Sequence, residues 1–321
     1  MRKIGFIVLS IYLLAISSCL TGQEKIDISL EEVMSIGGAD SGEIFQWAGL
    51  CVDDKGAIYI TDMVDYSIKK FNKNGKLLKK SGRKGQGPGE FLKPINIYNY
   101  KDNIYVLDLY VRGVQVFDTS LVYKNSMFTD LNIPINDFSI INSDRFIFNS
   151  QVGSGNLYIY DKKGREITKL NYFKEKSDNK YFMSNSIGFF DIDRTKNIYI
   201  AFFGQDLLMK LTSTGKIRWK KNLFRGKKSK RKTISKISVI TETCYKSVSI
   251  DTSGNVFILG GDIAKESSKT IFVLSPKGEL ISIIVLDETT HMIYIDRENY
   301  LYSRAGQGVC IKKYKINYRH M

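Results

Sequence analysis

From residue 50 onward, short apolar runs rich in Ile, Val, Tyr and Phe are punctuated by Asp, Asn and Gly. Between them apolar positions do not fall at helical spacing. Two strand signals recur together, the first preceded by an Asp/Gly/Asn turn and the second followed by a Gly turn. The first pass reads Asp53-Asp54-Lys55-Gly56, Ile58-Tyr59-Ile60, then Ile68-Lys69-Lys70-Phe71 and Asn74-Gly75. Later passes carry Ile104-Tyr105-Val106, Phe146-Ile147-Phe148, Ile198-Tyr199-Ile200, Val256-Phe257-Ile258 and Tyr300-Leu301-Tyr302 as their first signal. These six starts are 46, 42, 52, 58 and 44 residues apart. Within a pass, Ile58 to Phe71, Ile104 to Phe117 and Ile198 to Leu211 are each 13 apart. Constant internal spacing with variable linking is the signature of a repeated four-stranded meander with tight hairpins and loose connections. A β-sandwich needs no such period, and an α/β fold needs helical stretches between the strands. The pattern therefore predicts an all-β, six-bladed β-propeller with four-stranded antiparallel blades. The sixth pass lacks an outer strand after Ile311-Lys312-Lys313-Tyr314. Residues 25–36 read as a strand, and they are expected to close the last blade from the N-terminus, covering an open edge.

The first residues follow a different pattern. Arg2 and Lys3 precede an apolar run from Ile4 to Ile16, too short for the roughly 20 residues of a membrane span. This matches the apolar region of a secretory signal. Ile16-Ser17-Ser18-Cys19 resembles a lipobox, which implies lipidation of Cys19 and cleavage before it; an ordinary signal peptide is the alternative. Several acyl chains on one residue would anchor the chain stably. Leu20 stands where an inner-membrane retention aspartate would stand, which in a Gram-negative cell directs the lipoprotein to the outer membrane. The expected organisation is a signal peptide over 1–18, a tether over 19–27 and the propeller over 28–318.

Composition changes the picture little. Hydrophobic residues make up 43%, enough for a full core, and the 19 Tyr, 18 Phe and only four Pro suit strands. The net charge of +15 would suit a nucleic-acid binder, but export argues against that partner. Much of the excess lies in Lys227-Lys228-Ser229-Lys230-Arg231-Lys232, read as a solvated loop, with acidic glycans as a conceivable target. Cys51, Cys244 and Cys310 sit in strand-like stretches at spacings that fit no zinc site, and read as small buried hydrophobes; one disulfide plus a free thiol is the alternative.

One motif stands out. Gly82-Arg83-Lys84-Gly85-Gln86-Gly87-Pro88-Gly89-Glu90-Phe91 follows the first pass, and Gly37-Gly38-Ala39-Asp40-Ser41-Gly42-Glu43-Ile44-Phe45 precedes it as a weaker copy. Neither is followed by Gly-Lys-Ser/Thr or a helix, so a phosphate cradle is excluded. A tight crossover between blades, with the glycines at positive φ, is the physical expectation, and Trp47 and Phe91 are expected to pack between blades. Both motifs resemble the inter-blade linker of NHL-repeat propellers. The fuller one is similar to an element of a six-bladed β-propeller lipoprotein family of unknown function from Gram-negative bacteria. That resemblance implies fold and export, not an activity. Some NHL-like propellers are lyases with several histidines around a metal; His291 and His320, the only two here, cannot build such a site. No metal or cofactor is expected.

In a four-stranded blade, the loops after the second strand and between blades share one face, the usual ligand face. There the sequence places Asp62, Asp65 and Tyr66, then Asp108, Tyr110 and Arg112, then Gln205 and Asp206, then Asp262, then Arg304 and Gln307. Such a ring suits a polar ligand, glycan or peptide, or a protein partner, alongside a membrane contact through the lipid. For Asp62 and Asp108 the competing expectation is turn capping. A scaffold subunit of an envelope complex, or a hydrolase or lyase working through carboxylates such as Asp62 and Asp108, are the alternatives.

Overall fold

The computed structural model describes residues 26–38, 49–110, 113–129, 131, 135–150, 156–171, 188–225, 231–234, 237–240, 242–264, 267–305 and 310–320. Its first strand is β1 (Ile26–Gly37). Blade 1 follows as β2 (Leu50–Val52), β3 (Ile58–Asp62), β4 (Ser67–Phe71) and β5 (Leu77–Ser81). Blade 2 is β6 (Pro94–Tyr100), β7 (Asn103–Asp108), β8 (Val114–Asp118) and β9 (Tyr123–Met127). Blade 3 is β10 (Ile135–Asn142), β11 (Arg145–Ser150), β12 (Asn156–Asp161) and β13 (Glu166–Asn171). Blade 4 is β14 (Gly188–Ile192), β15 (Ile198–Phe202), β16 (Leu208–Leu211) and β17 (Ile217–Lys221). A separate hairpin, β18 (Arg231–Ile234) and β19 (Ile237–Ile240), leads to blade 5: β20 (Tyr245–Ile250), β21 (Val256–Gly260), β22 (Thr270–Leu274) and β23 (Leu280–Val285). Blade 6 is β24 (Thr290–Ile295), β25 (Tyr300–Ala305), β26 (Cys310–His320) and, outermost, β1. Six four-stranded antiparallel sheets therefore form the propeller, as the period predicts.

The core lies between the blades. Ile58, Tyr59 and Ile60 are all fully buried, because alternate side chains of β3 enter two different cores. Ile58 and Ile60 join Leu50, Tyr302 and Ile311 against blade 6, while Tyr59 joins Phe91, Ile97 and Phe117 against blade 2. Equivalent clusters fill the other four interfaces. Strands buried on both sides read as continuous apolar runs rather than as alternation, which is what made the period visible.

Closure is more extensive than one edge strand. β1 pairs antiparallel with β26 from Ile26↔His320 to Gly37↔Cys310, with a bulge between Glu32 and Met34. The partner strand β25 begins at Tyr300, opposite Lys315, so the last turn-side stretch of β26 pairs with β1 alone. This overhang leans on blade 5: Ile28 and Ile316 are buried there beside Phe257 and Ile284, and Tyr318 Oη donates to Asp251 Oδ2 at 2.7 Å. β1 starts two residues before the expected propeller boundary and β26 ends two after it. Cys51, Cys244 and Cys310 are free and buried, and burial pushes the Cys51 thiol well up.

The Gly82–Phe91 linker forms a tight crossover, but only Gly82 and Gly89 take positive φ. A Cβ on Gly82 would stand 2.6 Å from the Phe91 ring, which is fully buried between blades 1 and 2. Gly85 serves differently, leaving room for the Glu90 carboxylate, which accepts Gly87 N at 2.9 Å and pairs with Arg83.

Candidate functional site

Connectivity sorts the connections onto two faces. The turns between first and second and between third and fourth strands form a turn face; the remaining loops form the loop face. On the turn face Asp53, Asp193 and Asp296 each accept a backbone N–H across the turn with Oδ1. Their Oδ2 atoms receive the hydroxyls of Tyr59, Tyr199 and Tyr302, six residues on, at 2.9–3.0 Å. Blade 5 has Phe257 in that place, and Tyr318 of the overhang supplies the hydroxyl to Asp251 instead.

On the loop face most of the expected aspartates hold the fold. Asp62, 1% exposed, accepts Val64 N at 2.8 Å and Lys69 Nζ at 2.8 Å. Asp108, equally buried, accepts Leu92 N, Lys93 N and Tyr110 N, tying the linker that enters its own blade. Asp206 accepts Leu223 N and Phe224 N, tying the segment that leaves its blade, and also accepts the Tyr245 hydroxyl. This is the capping chemistry that short carboxylates offer loop N–H groups. Tyr66, at φ 55°, lies beneath Lys84 with 5.4 Å from Nζ to ring centroid. Tyr110 is 64% exposed with Lys93 Nζ 5.2 Å from its ring, so it remains on the open surface as a cation–π partner, whereas Tyr66 is half-buried against the core between blades 1 and 2. The Gln205 carbonyl accepts Leu207 N at 2.8 Å. Arg112, Gln307 and Trp47 lie outside the described residues, as does Cys19.

Asp262 and Arg304 are linked through two residues the sequence pattern did not single out. Lys246 and His291 occupy the second position of β20 and β24, where the inner strands of blades 5 and 6 open onto the loop face. Lys246 Nζ lies 3.2 Å from Asp262 Oδ1 and donates to Ser268 Oγ at 2.6 Å. Asp262 also accepts Thr243 N, Thr243 Oγ1 and Ser267 Oγ. Burial alone would raise its pKa; these donors and the Lys246 charge hold it below the usual value. Burial lowers the Arg304 guanidinium to about 10, still protonated at neutral pH. His291 is lowered by burial and by the positive charges of Arg304 and Lys246, which places each cation within electrostatic reach of the imidazole. The group thus sets a neutral imidazole between Lys246, which pairs with Asp262, and Arg304. Beside it Arg304 and Ser303, with Leu50, Met292, Tyr294, Tyr302 and Ile311, line a small cleft with room for about one water molecule. A ligand would therefore lie over the open face.

Deeper in the channel the inner strands carry a polar belt. Asp137 Oδ1 accepts Phe138 N at 2.8 Å and the Asn96 amide, and Asp191 Oδ2 accepts Ser249 Oγ at 3.2 Å and Ile250 N at 3.1 Å. Burial raises Asp137 to about 7 and Asp191 to about 6. Among the described residues no three His, Cys, Asp or Glu side chains converge as a metal-binding group.

Comparison with solved structures shows the same architecture at low identity. A member of the DUF4221 family from Bacteroides vulgatus superposes with a TM-score of 0.62 at 12% identity, over 93% of this chain and 100% of that one. A structural genomics protein of unknown function from Bacteroides thetaiotaomicron gives 0.60 at 10% identity, over 91% and 76%. Virginiamycin B lyase from Staphylococcus aureus gives 0.52 at 11% identity, over 90% and 99%. At these identities the likeness establishes fold alone. No curated protein matches the sequence. The sequence itself matches one family over residues 29–257, through all the blades from the closing strand to the middle of blade 5: the chain belongs to the DUF5128 family of 6-bladed β-propellers.

Proposed function

We propose that this chain is a cell-envelope lipoprotein, anchored through Cys19, that binds a polar glycan or peptide on the loop face of its propeller. The ligand would carry an anionic group. The observation behind this reading is the Lys246–His291–Arg304 cluster at the channel mouth: His291 feels the positive charges of both Lys246 and Arg304, and Asp262, the carboxylate beside Lys246, is already engaged by Thr243 and Ser267. Arg304 offers a planar fork suited to a carboxylate or sulfate. The exposed ring of Tyr110 on the same face adds stacking surface of the kind carbohydrate and peptide ligands use. A binding role is favoured over hydrolysis through Asp62 or Asp108, because both carboxylates are buried and engaged by backbone N–H groups. An array of acidic and neutral oligosaccharides and peptides tests the reading. Binding should concentrate on acidic members and drop at least about tenfold in affinity with Arg304→Gln or Lys246→Gln, the loss of one charge-assisted contact. Preference for neutral members, or affinity unchanged in both variants, would refute it.

A further inference from the structure

The two ends of the propeller leave it on the face opposite that cluster. The outermost strand of a blade runs from the turn face to the loop face, so β1 starts at Ile26 on the turn-face side, and β26 ends there at His320. The turns between third and fourth strands, which ring this face, carry exposed cations in four blades: Lys73 and Lys76, Lys163, Lys216 and Lys277. Glu166 and Glu279 are the exposed carboxylates of these turns, and the first-to-second turns of the same face add Asp54, Asp102, Asp144 and Glu298 against Lys55, Lys101, Arg194 and Arg297, with Asp144 paired to Lys162. Asp118 and Asp161 of the third-to-fourth turns are half-buried, each with Oδ1 accepting two backbone N–H groups.

We propose that the turn face is the membrane side of the disc, with these lysines against anionic phospholipid headgroups, and that the loop face is held away from the bilayer. The inference rests on the lipid-anchor reading above. Its geometry follows from reach. Six residues, 20–25, separate Cys19 from β1, and six extended residues span at most about 22 Å. To lay the loop face on the membrane, that leash would have to climb the disc. A five-residue strand is about 17 Å tall and the overhang lies against blade 5, so that climb would consume most of the leash. Docking through the turn face needs almost none of it. Lysines spread around the ring select the flat posture over an edge-on one, since only in it do several reach the headgroup layer together.

Lysine footprinting on the full lipidated chain tests the proposal. The protein is inserted from detergent into preformed vesicles of phosphatidylglycerol and phosphatidylethanolamine, acylated with an N-hydroxysuccinimide ester, and read by peptide mass spectrometry. Lys73, Lys163, Lys216 and Lys277 should react at least about threefold more slowly than in detergent, while Lys84 and Lys93 of the loop face keep their rates. Protection of Lys84 and Lys93, or of neither set, would overturn the orientation. Equal protection of the turn face in pure phosphatidylcholine vesicles would overturn the headgroup contact. The same spectra report the mass of the N-terminal peptide. An unacylated Cys19 would defeat the anchor reading and this inference with it, whereas an acylated one without turn-face protection defeats the orientation alone.

Discussion

Replacing Lys69 with Met gives the sharpest test of which loop-face charges belong to the fold. Lys69 is 5% exposed on β4, its Nζ 2.8 Å from Asp62 and 3.2 Å from Asp65. Asp65 has a second cation, Lys80, at 2.7 Å, and is itself partly exposed, but Asp62 is 1% exposed and has Val64 N as its other donor. Met matches the lysine stem in length and removes only the charge. The Asp62 carboxylate is then left buried without a counter-ion, a situation that costs about 3–5 kcal/mol. An exposed pair such as Arg83–Glu90 contributes about 0–1 kcal/mol, so burial decides the magnitude here. For a chain of this size each kcal/mol moves the thermal midpoint by roughly 2–3 °C, so Lys69→Met should melt about 6–15 °C below the parent in scanning calorimetry. Lys80→Met, at a half-exposed partner, should stay within about 2 °C. Asp62→Asn combined with Lys69→Met removes the orphaned charge and should recover most of the loss. If Lys69→Met melts within about 2 °C of the parent, or the double variant is no better than the single one, the reasoning fails. Asp62 would then be reaching water and would return as a ligand candidate.

Three further outcomes follow from the geometry. Ile28→Ala removes a side chain of β1 that is 4% exposed against blade 5, and should cost about 2–4 kcal/mol and expose the ring junction to proteolysis; unchanged protease resistance would show that the overhang is not a clasp. Asp137 and Asp191 keep their protons in the folded channel up to about pH 7 and about pH 6, whereas the unfolded chain releases them near pH 4. The stability they contribute is therefore complete below about pH 4 and lost as pH rises through about 6 to 7. The single variant Asp137→Asn should be more stable than the parent at pH 8, by about 1–2 kcal/mol once channel water is allowed for, with the gap closing toward pH 5; a pH-independent gap would refute this assignment. Cys19→Ala should move the chain from the membrane to the soluble fraction with its thermal midpoint unchanged, and a lowered midpoint would contradict a purely tethering role.

The blades were legible because the chain repeats a local pattern whose physics is local. A turn beginning in Asp is followed six residues later by Tyr at Asp53–Tyr59, Asp193–Tyr199 and Asp296–Tyr302, and the hydroxyl-to-carboxylate bond within each blade needs no information from elsewhere. Closure by the N-terminal strand was also readable, because a sixth blade without an outer strand demands one. What could not be read is where that strand goes beyond its blade. Tyr318 finds Asp251 across 67 residues, and nothing near either position announces the pairing. The β18–β19 hairpin was missed for a different reason. The basic run at 227–232 reads as solvated loop, yet its end lies in β18, which pairs with the β-branched stretch Ile237–Ile240.

The site resisted reading because aspartate does three jobs in this fold that look alike in sequence. At the end of a first strand it braces a turn, as in Asp296; at the end of a second strand it ties an incoming linker, as in Asp108; and on an inner strand it faces the channel, as in Asp137. All three are short acids beside β-branched or aromatic residues, and only depth and donor count separate them. Carboxylates accept N–H groups readily, so a propeller with many open backbone donors on its loops absorbs most of its aspartates into structure. Basic side chains serve loop carbonyls at the outer strands, as Lys70, Lys79 and Lys269 do, whereas on the inner strands the carbonyls are already paired in the sheets. A cation held half-buried at a channel mouth is therefore the more informative residue. Lys246 and Arg304 meet that description, on the first and second strands of neighbouring blades, with the exposed His291 between their charges. Cations near the loop-face ends of the inner two strands of adjacent blades are the sequence signal that would have found them.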